Sequence, residues 1–352
     1  MNESRARTRL TLPKHEPGRI IDDATVWSGR DYPDDRSWVR PLDDAMRAEI
    51  VAAMGAARER GIKPTRVTEA DFPLERTRAL LAEIHRALEC GPGFAMLSGF
   101  PLDGLDEDEV RLAYCGLCSH LGTITLQNRE GEYLLEVTDK GKGYDRQSRG
   151  YHSSAHLDFH NDGTNTVTLL CVETAAEGGE SMLVSGPAVY NAFVRERPEL
   201  LDVLHRGFHH HRRDQRAPGE APVTPYRTPV FGFRDGLFHL AYTGPSIRFC
   251  EDEGIEITAR ERAALDHLES ILARPEMPVS MALRRGDLQL VNNFLVLHAR
   301  TAYRDSPTRR RRLLRLWLDD EESARLGPGK MDWYLPGQSR FTRMGGIATL
   351  EH

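Results

Sequence analysis

The sequence has 352 residues, 39% hydrophobic and 28% charged, a balance that fits a globular enzyme and excludes collagen-like, mucin-like and wholly disordered classes. Its 47 basic and 53 acidic residues leave a net charge of -6, the wrong sign for a dedicated nucleic-acid binder. There is no run of about 18 apolar residues to cross a membrane, no apolar stretch after the basic N-terminus as in a secretory signal, and five cysteines are too few for a disulfide framework in a chain this long. The expectation is a reduced, cytoplasmic protein that binds neither nucleic acid nor membrane, its oligomeric state left open.

Residues 1–18 are polar, basic and Pro-containing, which predicts a mobile segment. Helical periodicity follows over 42–60, with Asp at its start and Gly61 at its end, and again over 74–90, where Leu74, Leu80, Leu81, Ile84 and Leu88 form a stripe. Residues 93–99 read as a buried strand bounded by glycines, and 106–121 as a helix with an acidic first turn and Gly122 as its stop. A helical region is therefore expected over about 40–122.

The texture changes near residue 125. Short apolar runs (Val167–Val172, Met182–Val184, Val230–Phe233, Leu237–Ala241, Val279–Leu283, Leu288–Val291, Leu313–Leu318) alternate with Gly, Pro, Asn and Asp turns. That pattern predicts a β-sandwich or barrel, interrupted by helices at 187–206 and 258–274. Length alone suggests two domains, but barrels of this size form one, and we expect a single domain over 19–349. The closing Leu350-Glu351-His352 reads as a tag remnant.

The most informative stretch is His156-Leu157-Asp158-Phe159-His160-Asn161-Asp162-Gly163, which holds two overlapping His-x-Asp pairs. On a strand, residues two apart share a face, so either pair could reach one metal ion. Two histidines and a carboxylate on one face of an octahedron mark non-haem Fe(II) oxygenases, and the third ligand must come from another strand. His298, at the end of an apolar run that follows Gly286-Asp287, is a candidate. Arg315, within Leu313-Leu314-Arg315-Leu316-Trp317, sits among apolar residues and needs an anionic partner, for which a carboxylate gripped by two hydrogen bonds is suited.

In these motifs the sequence resembles the Fe(II)/2-oxoglutarate dioxygenases of the taurine dioxygenase and clavaminate synthase-like family. The matching stretches, in order over roughly 90–320, are Phe159-His160-Asn161-Asp162-Gly163, Leu169–Val172, Gly178-Gly179-Glu180-Ser181, Gly286-Asp287 leading to Asn292-Asn293, His298-Ala299-Arg300-Thr301, and Arg312–Trp317. The resemblance implies a mainly β fold with flanking helices, a double-stranded β-helix or jelly roll. It selects His160 and Asp162 over His156 and Asp158, adds His298 as the distal ligand, and gives Fe(II), 2-oxoglutarate and O2 as cofactor and cosubstrates. It further implies that Arg315 grips the distal carboxylate of 2-oxoglutarate, that Arg311, four residues earlier, assists or holds the pocket, and that the Ser181 hydroxyl lies near that carboxylate. Gln127, Tyr242, Arg248 and the segment 139–156 are expected on the substrate side. The implied reaction is oxidation, by default hydroxylation, of a small molecule such as an amino acid or a free or carrier-bound biosynthetic intermediate, with release of succinate and CO2. Asp162 argues against halogenation, which needs the carboxylate's place.

Two other classes compete: a redox-silent metal hydrolase or isomerase, and a ligand-binding module, each on the same jelly roll. Three further groups have plainer readings. Cys115 and Cys118 fall on a helix and read as core. His209-His210-His211 reads as a solvated segment whose alternate side chains point apart. Arg309–Arg312 reads as a solvated turn, with Arg311 its inward member.

Overall fold

The computed structural model describes residues 10–33, 36–128, 130–141, 150–213, 219–320 and 323, without the side chain of Tyr151. Residues 1–9, the tail with 350–352, and 142–149 of the expected substrate-side segment lie outside the described residues.

Capping residues set where the first helices begin. Asp43 accepts the Met46 amide to open α1 (Asp44–Glu59), and Asp106 and Glu109 form a reciprocal capping box at the start of α3 (Glu107–Cys118). α2 (Arg78–Glu89) begins later than its apolar stripe suggests. The carboxylate of Glu49, on α1, accepts the amides of Arg76 and Thr77 and so holds Leu74 in the loop ahead of the helix. Residues 10–18 are tied down rather than mobile: Leu12 is buried, the His15 amide donates to the Gly236 carbonyl, and the Gly18 amide to the Tyr190 hydroxyl.

One sheet of seven strands runs β1 (Arg40–Pro41), β2 (Phe94–Ser98), β12 (Leu288–Asn292), β6 (Thr166–Glu173), β15 (Arg312–Asp319) and β3 (Thr123–Thr125), with β4 (Leu134–Val137) also on β15. A second sheet of four strands runs β11 (Val279–Met281), β8 (Ser181–Ser185), β13 (Val296–Arg300) and β5 (Leu157–His160). A hairpin of β9 (Phe231–Arg234) with β10 (Leu237–Leu240) and a short long-range antiparallel pair of β7 (Glu177–Gly178) with β14 (Tyr303–Arg304) complete the described strands. The helix expected over 187–206 is α4 (Gly186–Glu196) and α5 (Leu201–Arg206) with a 3₁₀ turn between them. Pro198 interrupts it, having no amide to donate. α6 (Gly244–Arg248) and α7 (Ala259–Leu272) complete the described helices.

The large sheet buries both faces, and its side chains alternate accordingly. Val291, Leu313 and Trp317 point toward the small sheet and pack with Leu183, Val184 and Leu297. Leu290, Leu314 and Leu316 point the other way, onto Ile50, Ile84 and Leu112 of the N-terminal helices. Each such fully buried side chain contributes roughly 1.5–3 kcal/mol. Between the two sheets a cavity of about 1060 Å³, mouth included, remains open.

Candidate metal centre

β5 and β13 are antiparallel neighbours, and His160 stands directly opposite His298. Their ring centroids are 4.4 Å apart. Asp162 lies just beyond the end of β5, and one ligand atom from each of these three residues falls within 4.8 Å of the others.

The alternative pair is placed elsewhere. The β5–β13 register slips between His298–His160 and Arg300–Leu157, so β5 carries one extra residue. The slip turns Leu157 and His160 toward the cavity, while His156 and Asp158 line a separate cavity outside it. The shared face expected of residues 156, 158, 160 and 162 therefore does not exist: a bulge breaks the period of two.

Each donor is held in its ligating form. His160 Nδ1 bonds the Asp158 carbonyl at 2.8 Å. A carbonyl only accepts, so the proton sits on Nδ1 and the Nε2 lone pair is left for a metal. Burial holds the His160 pKa below its usual value, with the charges of Arg315 and Arg213 adding to it. Burial and the neighbouring His160 push His298 down to about 3. For Asp162 burial works upward, but Arg315, the two histidines and a hydrogen bond from Trp317 outweigh it and leave the pKa at about 2. Trp317 Nε1 donates to Asp162 Oδ2 at 3.0 Å, and Arg315 Nη1 lies 3.4 Å from the same oxygen. Two neutral imidazoles and one carboxylate, open on the cavity side, fit a divalent iron.

The other expected residues divide. Arg315, Arg311 and Ser181 all line the cavity. Arg315 Nε donates to Gln127 Oε1 at 2.7 Å. Arg311 is buried, its guanidinium 5.1 Å from the Tyr303 ring centroid, and its Nη1 has no hydrogen-bond partner among the described residues. Ser181 donates to Gln289 Oε1 at 3.0 Å. The glycines before Ser181 permit a close approach here: Gly178 has φ +70°, and a Cβ on it would stand 2.3 Å from the Ala302 carbonyl oxygen.

Gln127, Tyr242 and Arg248 are not among the cavity-lining residues. Gln127 is fully buried and bonds Arg315 on both sides, donating to its carbonyl as well. Tyr242 donates to Glu269 at 3.0 Å and Arg248 pairs with the same carboxylate at 2.7 Å, both beside the outer cavity that holds His156 and Asp158. Cys115 and Cys118 are buried on α3, as read from the sequence, and burial pushes Cys118 up to about 12.

The sequence reading missed Arg300 and the segment His211-Arg212-Arg213, all of which line the cavity. His210 is 0% exposed and His211 8%, so this stretch is not the solvated segment expected. Arg300 donates to the Ser153 carbonyl at 2.7 Å, and its guanidinium lies 4.8 Å from the centroid of the Tyr303 ring, which it shares with Arg311. Flanking Phe208 and Val223, both buried, were the signal available.

Residues 59–317 match the family model described as Taurine catabolism dioxygenase TauD, TfdA family. The chain belongs to the TauD/TfdA family. FR-33289 synthase of Streptomyces rubellomurinus (strain ATCC 31215) is 37% identical over 310 residues, 84% of this chain and 89% of that one. Uridine-5'-phosphate dioxygenase of a Streptomyces species is 30% identical over 204 residues, 54% of this chain and 70% of that one. Among solved structures, asparagine oxygenase in complex with Fe(II), 3-hydroxyasparagine and succinate superposes with a TM-score of 0.64 at 19% identity, covering 83% of this chain and 98% of that one. Non-heme iron oxygenase OrfP in complex with Fe and alpha-ketoglutaric acid gives 0.60 at 13% identity, covering 84% and 99%. At these identities the two structures speak to the fold, which is β-rich with helices around it. As a TauD/TfdA-family member the protein is an Fe(II)/2-oxoglutarate-dependent dioxygenase that uses Fe(II), 2-oxoglutarate and O2, and the hydrolase and binding-module readings fall away.

Proposed function

We propose that this dioxygenase hydroxylates an unactivated C–H bond of a small molecule, of amino-acid or amino-acid-derived type, at an iron held by His160, Asp162 and His298. The observation that carries the proposal is the convergence of those three donors within 4.8 Å, the histidines neutral and the carboxylate ionised. The amino-acid class draws on the two structural neighbours, whose complexes hold hydroxylated asparagine and, for OrfP, hydroxylated arginine. The two facing sheets are, on this reading, the halves of a double-stranded β-helix within one catalytic domain.

Bound there, Fe(II) with 2-oxoglutarate and O2 would supply the oxidising power, releasing succinate and CO2. The protein's own residues orient and shield. Asp158 fixes the His160 ring through Nδ1. Trp317 and Arg315 hold Asp162 ionised and aimed. Val167, Leu169 and Leu313 form an apolar wall that limits water in the cavity.

Two arginines share the cosubstrate wall, and we assign them opposite ends of it. Arg315 sits against the metal ligand Asp162, too near the metal to serve a carboxylate two methylenes beyond the chelating keto acid. Arg311 lies four residues away, about 13 Å along an extended chain, with a buried N–H to offer. The distal carboxylate is therefore given to Arg311 and to Ser181, and Arg315 to the metal end. This revises the sequence expectation that Arg315 grips the distal carboxylate.

The test is an anaerobic titration with Fe(II) and then 2-oxoglutarate, following the visible charge-transfer band of the chelate. The band is expected in the wild type and absent in His160→Ala and His298→Ala. Arg311→Ala should need at least tenfold more 2-oxoglutarate, from loss of a charge-assisted pair worth roughly 1.5–3 kcal/mol. Arg315→Ala should alter the band's position more than the cosubstrate requirement. A normal band in either histidine variant would sink the triad; a larger cosubstrate defect in Arg315→Ala than in Arg311→Ala would reverse the two ends.

A further inference from the structure

Arg300 ends β13, two positions past the candidate ligand His298, and lines the cavity. It is 5% exposed, and its Nη2 donates to two carbonyls of one crossing segment, that of Ser153 at 2.7 Å and that of Ala155. The Tyr303 amide donates to the Ser154 carbonyl between them at 3.0 Å. One corner of the fold thus holds three successive carbonyls. The clasped segment leads into β5, and Gly150 and Leu157, to either side of it, both line the cavity. These two are packed so closely that a Cβ on Gly150 would stand 2.1 Å from the Leu157 side chain. Holding 153–155 therefore sets where the cavity wall stands just ahead of His160.

The same corner reaches Arg311. The guanidiniums of Arg300 and Arg311 lie 4.8 and 5.1 Å from the centroid of the Tyr303 ring. The ring attracts each cation, but the two cations repel one another. Burial and then the charge of Arg311 bring Arg300 down to about 10. Asp139, hydrogen-bonded to Ser154, offsets part of that repulsion. A carboxylate on Arg311 would offset more, because charges shielded from water act on each other strongly. Arg300 would then hold its two carbonyls more tightly. We infer that Arg300 is a positioning residue that couples the cosubstrate's distal carboxylate, through Arg311 and the shared Tyr303 ring, to the placement of 153–155 against the cavity. The inference rests on the assignment of that carboxylate to Arg311 and deepens it, joining cosubstrate binding to the wall that the substrate meets.

Amide hydrogen exchange over 150–157 is followed by mass spectrometry on anaerobic protein with Fe(II), without and with 2-oxoglutarate at levels that saturate the charge-transfer band. In the wild type the cosubstrate should slow exchange there by at least about fivefold, the lower end of typical coupling between two sites. Arg300→Gln should lose that cosubstrate-dependent slowing. Arg300→Lys, which keeps the charge with fewer donors, should keep more of it than Arg300→Gln. A residue that merely braces the segment would change exchange by the same factor with and without cosubstrate. No slowing in the wild type, or equal slowing in the wild type and Arg300→Gln, therefore overturns the inference. If Arg300→Gln does not melt cooperatively, Tyr303→Leu decides: it should lose the slowing while Tyr303→Phe, which keeps the ring, retains it, and equal slowing in the two overturns the coupling. If Arg311→Ala binds 2-oxoglutarate as tightly as the wild type, the carboxylate lies elsewhere and the coupling falls, while the metal centre stands. A missing band in the wild type counts against the metal centre instead; slowing by 2-oxoglutarate that depends on Arg300 would then still uphold the coupling, and its absence would overturn it.

Discussion

His210 and Asp162 illustrate how burial alone and burial with partners lead to different titrations. Asp162 is buried but ringed by Arg315, two histidines and Trp317, so its charged form wins. His210 is buried beside His209, and both influences oppose protonation, holding it at about 3. An unfolded histidine takes its proton near pH 6.5. Between about 6.5 and 3 the unfolded chain therefore binds a proton that the folded one refuses, and stability falls as pH drops through that window. For the metal-free protein we expect the loss between pH 6 and 4.5 to be shallower in His210→Gln than in the wild type, by up to about 1.4 kcal/mol per pH unit. Urea denaturation across that range measures it; parallel pH slopes would show that His210 titrates elsewhere.

At the scale of elements, the short stretch from β5 to Asp162 is held chiefly by the Asn161 side chain, with Asn293 Oδ1 accepting the Asp162 amide at 3.0 Å. Asn161 donates to the carbonyls of Leu240 and Asn293, each at 2.8 Å, and accepts the Tyr242 amide at 2.7 Å. It thereby ties the chain between His160 and Asp162 to β10 and to the turn between β12 and β13. Asn161→Ala leaves three buried polar groups without their partner, at roughly 1–3 kcal/mol each. The expected result is a large drop in melting temperature, and a metal affinity weakened by tenfold or more in whatever protein still folds. A variant with wild-type melting and iron binding would show that the β5 bulge and the Asn293 contact hold Asp162 without the Asn161 side chain.

For the whole molecule, the large sheet is the shared wall of two cores. Leu290, Leu314 and Leu316 face the N-terminal helices, and Val291, Leu313 and Trp317 face the small sheet. Neither core has a wall of its own, so the helical region and the β region should unfold together. Calorimetry of the metal-free protein should give one transition whose van't Hoff and calorimetric enthalpies agree. Two resolved transitions, or a cooperatively folded fragment lacking residues 1–122, would count against a single domain.

The helix starts at Asp43 and Asp106, the alternating apolar residues of β12 and β15, and the His-x-Asp pattern were all legible in the chain, because capping, pleat and metal-pair spacing depend on residues a few positions apart. His298 and Arg315 were candidates on their settings alone, family resemblance gave them their roles and added Arg311, and the three candidate ligands do meet. What tertiary structure decided depends on pairing between distant strands. The extra residue in β5 shows only against β13, and it separates His160 from His156 and Asp158. The start of α2 depends on Glu49 from another helix. Arg315 could be read as a buried cation in want of an anion, but its nearness to Asp162 comes from how β15 lies across from β5. His211–Arg213 read as solvated because their composition is polar; a left-handed turn and the buried Phe208 and Val223 around them place them in the cavity instead. Local sequence carries the chemistry of each group, and only the fold determines which groups share a space, since that is a matter of contacts between residues far apart in the chain.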